Sequence, residues 1–304
     1  MTFTAPQHFT SIDSALESLF GKGTKIAQSD RVFGGDINDA YSLTLTNGAR
    51  IFMKTNTVKN AAFFQAEALG LQAIAQTGCI GTPHILCCGT QTGTDEYSFL
   101  LLEWIEGCHP VSNYWELFAR QLANMHRAPA KDFVSNGTYG FWQDNFIGAG
   151  KQCNAAKNNW LDFFRDCRLE PQFRSADHYF DAGDRKRITA LLDRLADFLT
   201  EPEHPSLLHG DLWSGNFMTG SDGKAWLIDP AAYVGHAEAD LAMTELFGGF
   251  SPAFYTAYRE AAPMQPGYQD RRDLYNLYHL LNHLNLFGGS YLASVLRTVR
   301  RYAP

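Results

Sequence analysis

The chain has 304 residues, of which 45% are hydrophobic, 13% aromatic and 19% charged, the balance of a folded protein with room for two domains or for one domain split into lobes. That composition excludes a disordered tail, a collagen-like chain and a coiled coil. With 25 Lys and Arg against 32 Asp and Glu the formal charge is -7, so the chain lacks a whole-chain basic footprint and nucleic acid is not an expected partner.

Residues 1–9 show no basic start and no apolar stretch of signal-peptide length, and no run of 18 apolar residues occurs downstream, so a cytoplasmic protein without a membrane partner is expected. The six cysteines, at 79, 87, 88, 108, 153 and 167, form no CxxC pair, and reduced thiols are expected. No fixed-period repeat is present. A monomer is expected over an obligate oligomer.

Along the chain, Ile12, Ala15, Leu16, Leu19 and Phe20 recur at helical spacing behind the capping candidates Thr10 and Ser11. Strands are expected over 25–32, 40–45 and 49–54, the last two joined at Asn47-Gly48, a two-residue hairpin signal because both residues tolerate positive φ. A helix is expected over 60–76, with Phe63, Phe64, Leu71 and Ile74 as its stripe and Glu67 inside it, ended by Gly78. Two further strands, 85–88 and 98–104, run into a Gly-bounded linker at 105–107, which sets the expected domains at 1–104 and 105–304. Beyond it the pattern is helical, around 115–125, 160–167, 188–199, 274–286 and 291–299, interrupted by a hairpin with strands at 216–218 and 225–228.

That interruption carries the chemistry. His209-Gly210-Asp211-Leu212-Trp213-Ser214-Gly215-Asn216 has the spacing H-x-D-x-x-x-x-N, and Asp229 stands thirteen residues beyond it. In kinase-type phosphoryl transfer the first Asp accepts the proton of the attacking hydroxyl, and the Asn and second Asp are oxygen ligands for Mg²⁺ on the nucleotide. On these residues alone, Asp211 and Asn216 could instead only brace a loop through side-chain to backbone bonds, and His209 reads as a loop-organising residue. Lys54, at a strand end, precedes Glu67 by thirteen residues, the order of a phosphate-positioning Lys and its helix Glu. A strand-end lysine is usually solvated, yet a carboxylate inside an apolar stripe requires a partner. Gly34, Gly35, Asp36, Ile37 and Asn38 join the first two strands where backbone amides would face nucleotide phosphates, although the full GxGxxG pattern is absent.

Taken together, His209 to Asn216, Ile228 to Tyr233, Gly235 to Met243 and Gly34 to Tyr41 resemble the fructosamine kinase (ketosamine-3-kinase) family, in the aminoglycoside-phosphotransferase-like branch of the protein-kinase-like fold. The resemblance covers nearly the whole chain. It implies an α+β, bilobal fold, with a five-stranded antiparallel sheet and one key helix in the N-lobe and a mainly helical C-lobe holding the hairpin. It also implies ATP- and Mg²⁺-dependent phosphorylation of a ketosamine hydroxyl, usually O3, on a small-molecule or protein-bound acceptor. Asp211 would then be the base and Asn216 and Asp229 the metal ligands. Lys54 and Glu67 would position phosphate, with Leu102, Glu103, Trp104 and Ile105 as the adenine-binding hinge. Trp213 would pack on the acceptor sugar, and Asn145 and Gln152 would lie on the acceptor side. Ala237 stands where the family pattern expects Arg, which puts a supporting salt bridge in question, and Asp36 stands where some relatives carry a loop Cys. Phosphotransfer to an aminoglycoside or choline is the alternative enzyme reading. A non-catalytic nucleotide-binding regulator would ordinarily have lost one of Lys54, Asp211, Asn216 or Asp229.

Overall fold

Short apolar runs cut by glycine- and asparagine-bearing turns build the first part of the chain. In the computed structural model, which describes residues 6–33, 37–93 and 95–304, these runs form β1 (His8–Phe9), α1 (Ile12–Phe20), β2 (Ile26–Val32), β3 (Asp39–Leu45), β4 (Arg50–Asn56), α2 (Ala61–Thr77), β5 (Ile85–Gln91) and β6 (Tyr97–Glu103). The six strands make one sheet in the order β1-β5-β6-β4-β3-β2. Neighbours are antiparallel except β1, which joins β5 in parallel through His8↔Cys88 and Phe9↔Gly89. The expected five-stranded antiparallel sheet is therefore corrected to six strands with a parallel edge. A two-residue strand carries no periodicity by which to be seen.

Local chemistry sets the boundaries. Ser11 caps α1 by accepting the Ser14 amide at 3.1 Å, and Gly78 ends α2 with φ 64°. At the β3–β4 turn only Gly48 of the Asn47-Gly48 pair takes positive φ. Asn47 contributes instead through its side chain, which accepts the Ala49 amide at 3.0 Å.

Alternation along the strands splits the sheet's side chains between two layers. Leu43, Ile51, Met53, Phe99 and Leu101 pack with Ile12 and Leu16 of α1. Leu100 and Leu102 pack with Phe64, Ala68 and Leu71 of α2, and Phe52 joins them. Each large side chain so buried contributes about 1.5–3 kcal/mol. The same alternation puts Lys54 on the face of Phe52, toward α2.

Helices dominate the rest of the chain: α3 (Tyr114–Arg127), β7 (Asn145–Ile147), β8 (Gly150–Gln152), α4 (Trp160–Phe164), α5 (Glu170–Ser175), α6 (Ala182–Asp193), β9 (Ser206–Leu208), β10 (Phe217–Thr219), β11 (Ala225–Leu227), β12 (Tyr233–Gly235), α7 (Glu238–Leu246), α8 (Pro252–Ala261), α9 (Tyr268–Phe287) and α10 (Leu292–Tyr302). The expected helix over 160–167 is broken after Phe164 by a π-helical turn, Arg165–Leu169, before α5 resumes. The chain divides into two compact units, Met1–Ser112 with Met218–Asp229, and Asn113–Phe217 with Pro230–Pro304. The first boundary thus falls after Ser112 rather than at 104, and nearly all of the β10–β11 hairpin belongs to the first unit rather than lying inside the helical one. No helix among the described residues is long and apolar enough to cross a membrane.

Candidate active site

In the first unit the sheet and α2 bring three charged side chains together. Lys54 pairs in the ladder with Ala40 and Leu100, and its Nζ donates to Glu67 Oε1 at 2.7 Å and to Asp229 Oδ1. The side chains of Lys54 and Glu67 are 9% and 12% exposed, whereas that of Asp229 is 42% exposed. Burial alone would strip the proton from Lys54, but the Asp229 and Glu67 carboxylates outweigh it and hold the ammonium above the ordinary lysine range. Burial pushes Glu67 up, to about 7, against the pull of Lys54. Asp229 has φ 55°, the one positive φ outside glycine among the described residues, the kind of local strain that persists where surrounding structure over-determines it.

The other residues expected on the nucleotide side lie in the same unit. Gly34, Gly35 and Asp36 fall outside the described residues. Ile37 and Asn38 lead into β3, and both are bonded by the Asn56 side chain. Leu102 is buried in the α2-side core. Glu103 is tied to residue 84 at both ends: its amide donates to the His84 carbonyl at 2.9 Å, and its Oε1 accepts the His84 amide at 2.8 Å. Trp104 lies under the Arg50 guanidinium, 3.8 Å from ring centre to Cζ, and donates from Nε1 to Glu106 at 2.8 Å. Ile105 is half-buried beyond the ladder.

In the second unit, β9 and β12 pair with Leu208 opposite Tyr233, and the loop after β9 carries Asp211. Asn216 donates from Nδ2 to the Asp211 carbonyl at 2.8 Å and to its Oδ2 at 3.1 Å. The Asp211 amide donates to His209 Nδ1 at 3.3 Å, so the buried His209 ring organises the loop. Gly210 sits at φ 81°, and a Cβ there would fall on the Ala231 carbonyl. Trp213, 38% exposed, lays its indole over Gly215, where a Cβ would strike the ring.

Asp240, to which the sequence motifs assign no role, fastens this loop from behind. Its carboxylate accepts the amides of His209 and Gly210 at 2.7 and 2.8 Å and meets His126 Nε2 at 3.2 Å. Burial opposes its ionisation, but His126, His209 and the Gly210 amide outweigh burial and keep it below the usual aspartate range. A signal for it does exist in the sequence: an Asp inside the apolar run Ala239 to Met243 poses the same question as Glu67.

Asn145 and Gln152 require a correction, because they are buried and their amides are spent internally. Asn145 Nδ2 donates to the Ala232 carbonyl at 2.8 Å. Gln152 Nε2 donates to Ala231 O at 2.9 Å and to Asn145 Oδ1 at 2.8 Å, while its Oε1 accepts the Tyr278 hydroxyl at 2.7 Å. They brace the backbone after Pro230 rather than present polar groups to an acceptor.

A family model described as fructosamine kinase matches residues 8–303. The chain belongs to the fructosamine kinase family. It is 40% identical over 285 residues to the chloroplastic protein-ribulosamine 3-kinase of Arabidopsis thaliana, covering 93% of this chain and 84% of that one. It superposes with TM-score 0.83 on a crystal structure from Haemophilus somnus described as a fructosamine-3-kinase, at 28% identity and 97% coverage of both chains. The aminoglycoside phosphotransferase APH(4)-Ia, in a ternary complex with ADP and hygromycin B, shares the fold at TM-score 0.64 and 17% identity, over 97% of this chain and 100% of that one.

The α+β, kinase-like fold is thereby shown, and as a fructosamine kinase family member the chain is an ATP-dependent kinase acting on an alcohol group. The family pattern also frames Ala237. Its neighbour Glu238 makes a buried two-pronged pair with Arg271, Nε to Oε2 at 2.8 Å and Nη2 to Oε1 at 2.7 Å. That pair does not draw on residue 237, so Glu238 is paired without an Arg at that position.

Proposed function

We propose that this kinase transfers the γ-phosphoryl group of ATP to a sugar hydroxyl, O3, of ketosamines such as fructosamines or ribulosamines, free or protein-bound. The observation that carries the reading is Trp213: two residues beyond Asp211 its indole stays partly exposed, while the groups around it are committed to the loop's own bonds. An exposed indole face beside a base suits the apolar CH face of a sugar, and a protonated ketosamine nitrogen would add a cation–π attraction.

In this mechanism Asp211 accepts the hydroxyl proton as the oxygen bonds to phosphorus and the bond to the β-phosphate oxygen breaks, releasing ADP. Asn216 holds the Asp211 carboxylate in place through Nδ2. Lys54, fixed by Glu67, donates to the phosphates. Leu102, Glu103, Trp104 and Ile105 are assigned to the adenine, and Gly34, Gly35, Asp36, Ile37 and Asn38 to the phosphates.

The donors present fit Mg²⁺. Asn216 spends only its Nδ2 on the loop, which leaves its Oδ1 as one hard ligand, and the half-exposed Asp229 carboxylate supplies the other. Asn216 and Asp229 are the residues that would hold the ion against the nucleotide phosphates. The ion, once bound, supplies neutralisation of charge on the phosphate oxygens.

ADP release measured against a panel of ketosamines, aminoglycosides and choline tests the acceptor. Turnover confined to ketosamines is expected. Turnover of an aminoglycoside or choline, with none for ketosamines, overturns the reading.

A further inference from the structure

The β3–β4 ladder ends at Asp39↔Thr55. One residue further along β4, the side chain of Asn56 takes over from the backbone. Its Nδ2 donates to the Ile37 carbonyl at 3.2 Å and to Asn38 Oδ1 at 2.7 Å. Its Oδ1 accepts the Thr57 amide at 2.7 Å and Asn60 Nδ2 at 2.9 Å. Its own carbonyl accepts the hydroxyl of Ser98, a fully buried residue of β6.

One amide thus joins three pieces of chain. Ile37 and Asn38 lie just beyond the glycine pair, β4 carries Lys54 two residues earlier, and Asn60 is the residue before α2, which carries Glu67. A helix start that points a side chain back to a strand is held against sliding along it, and the register of α2 on β4 is what lets Glu67 meet Lys54. Beside this junction lies a cavity of about 260 Å³ lined by Ile37, Asp39, Thr55, Asn56, Glu96 and Tyr97 among others. With that space alongside, side-chain bonds rather than close packing hold the entry to β3.

We propose that Asn56 is a positioning residue for the nucleotide: its amide latches Ile37 and Asn38 to the Lys54 strand and to the start of the Glu67 helix, and so sets affinity for nucleotide phosphates without touching the acceptor. The proposal rests on the assignment of Lys54 and the glycine pair to phosphate. The donor half of the amide serves the loop, and the acceptor half serves Thr57 and Asn60, so the two halves can be separated. Asn56→Ala removes both. Asn56→Asp keeps the oxygen and cannot donate.

Calorimetric binding of ADP and steady-state kinetics on the full chain test this. For Asn56→Ala, ADP affinity and KM for ATP should worsen about tenfold, the scale of losing a pair of hydrogen bonds, with acceptor KM changed less than twofold. Asn56→Asp, which sets an oxygen against the Ile37 carbonyl, should show at least the same loss of nucleotide affinity. Asn38→Ala should cost less, and the Asn38→Ala/Asn56→Ala double variant should be no worse than Asn56→Ala, because one latch is being broken twice. Unchanged ADP affinity in both Asn56 variants, an equal rise in acceptor and ATP KM, or strict additivity of the double variant overturns the latch. If no ketosamine is phosphorylated at all, the acceptor assignment fails while the ADP measurements still decide the role of Asn56.

Discussion

The two halves of the proposed catalytic machinery are held by different physics. In the first unit, Lys54, Glu67 and Asp229 come from a strand, a helix and the end of a distant hairpin, and both carboxylates are held by the one Lys54 ammonium. In the second, Asp211, Trp213 and Asn216 come from eight consecutive residues, and the loop is held by amides, a histidine ring and the buried Asp240 carboxylate. The first arrangement depends on protonation and on every partner being present. The second is a matter of backbone geometry: Gly210 is required because a Cβ would collide with the Ala231 carbonyl, and Gly215 leaves room for the Trp213 ring.

The largest expected effect tests the geometric half. Asp211→Asn preserves the shape of the side chain and leaves the Asp211 carbonyl and amide bonds to Asn216 and His209 untouched, so it should fold and bind ATP. It should lose turnover by the ~10²–10⁴-fold typical of a missing general base. Turnover near the wild-type rate, with an unchanged melt, removes Asp211 from the mechanism. The charged half predicts a different pattern. Lys54→Ala and Glu67→Ala should each impair ATP-dependent turnover, and the double variant should fall short of their sum by a coupling of about 1–3 kcal/mol. Strict additivity would break the pairing as a functional unit.

The same contrast explains what is legible in the sequence. The loop proposed to carry the base can be read from eight adjacent residues because its spacing is its geometry. The Lys54–Glu67 pair can also be read, since an acid in an apolar helical stripe demands a cation and the nearest strand end offers one. Asp240 carries the same kind of signal, an acid inside an apolar run, but its partners, the His209 and Gly210 amides and the distant His126 ring, are displayed by no sequence pattern. Asn145 and Gln152 mislead for a related reason: a polar residue near an expected site looks available, and only packing reveals that its amide is spent on Ala231 and Ala232. The sixth strand arises from its pairing with β5 and, at two residues, leaves no local periodicity.

Protonation separates the halves further. The folded state raises the Glu67 carboxyl from 4.5 to about 7, chiefly through burial. Between those values the folded chain holds a proton that the unfolded chain has released, so the stability linked to this group is complete below about 4.5 and is lost as pH rises toward 7. Glu67→Gln cannot titrate. The difference in unfolding free energy between wild type and Glu67→Gln, followed from about pH 4.5 to about pH 7.5 by urea denaturation, should therefore drift against the wild type by ~1–3 kcal/mol and level off above about 7. A flat difference would show that Lys54 keeps Glu67 ionised throughout.

The smallest effect is the most local. Trp213 is held over Gly215 and remains partly exposed, so removing its ring should leave the loop's backbone bonds, made by Asp211, Asn216, His209 and Asp240, largely intact. Trp213→Ala should then lower kcat/KM for ketosamines roughly tenfold, equivalent to ~1.4 kcal/mol, with KM for ATP nearly unaltered. Gly215→Ala offers an orthogonal check, because its Cβ would displace the indole without deleting it; it should reproduce the acceptor defect while Asp211 keeps its bonds to Asn216. If either variant instead lowers stability sharply or damages ATP and acceptor parameters alike, the indole is a brace for the loop and the acceptor must be held by other groups.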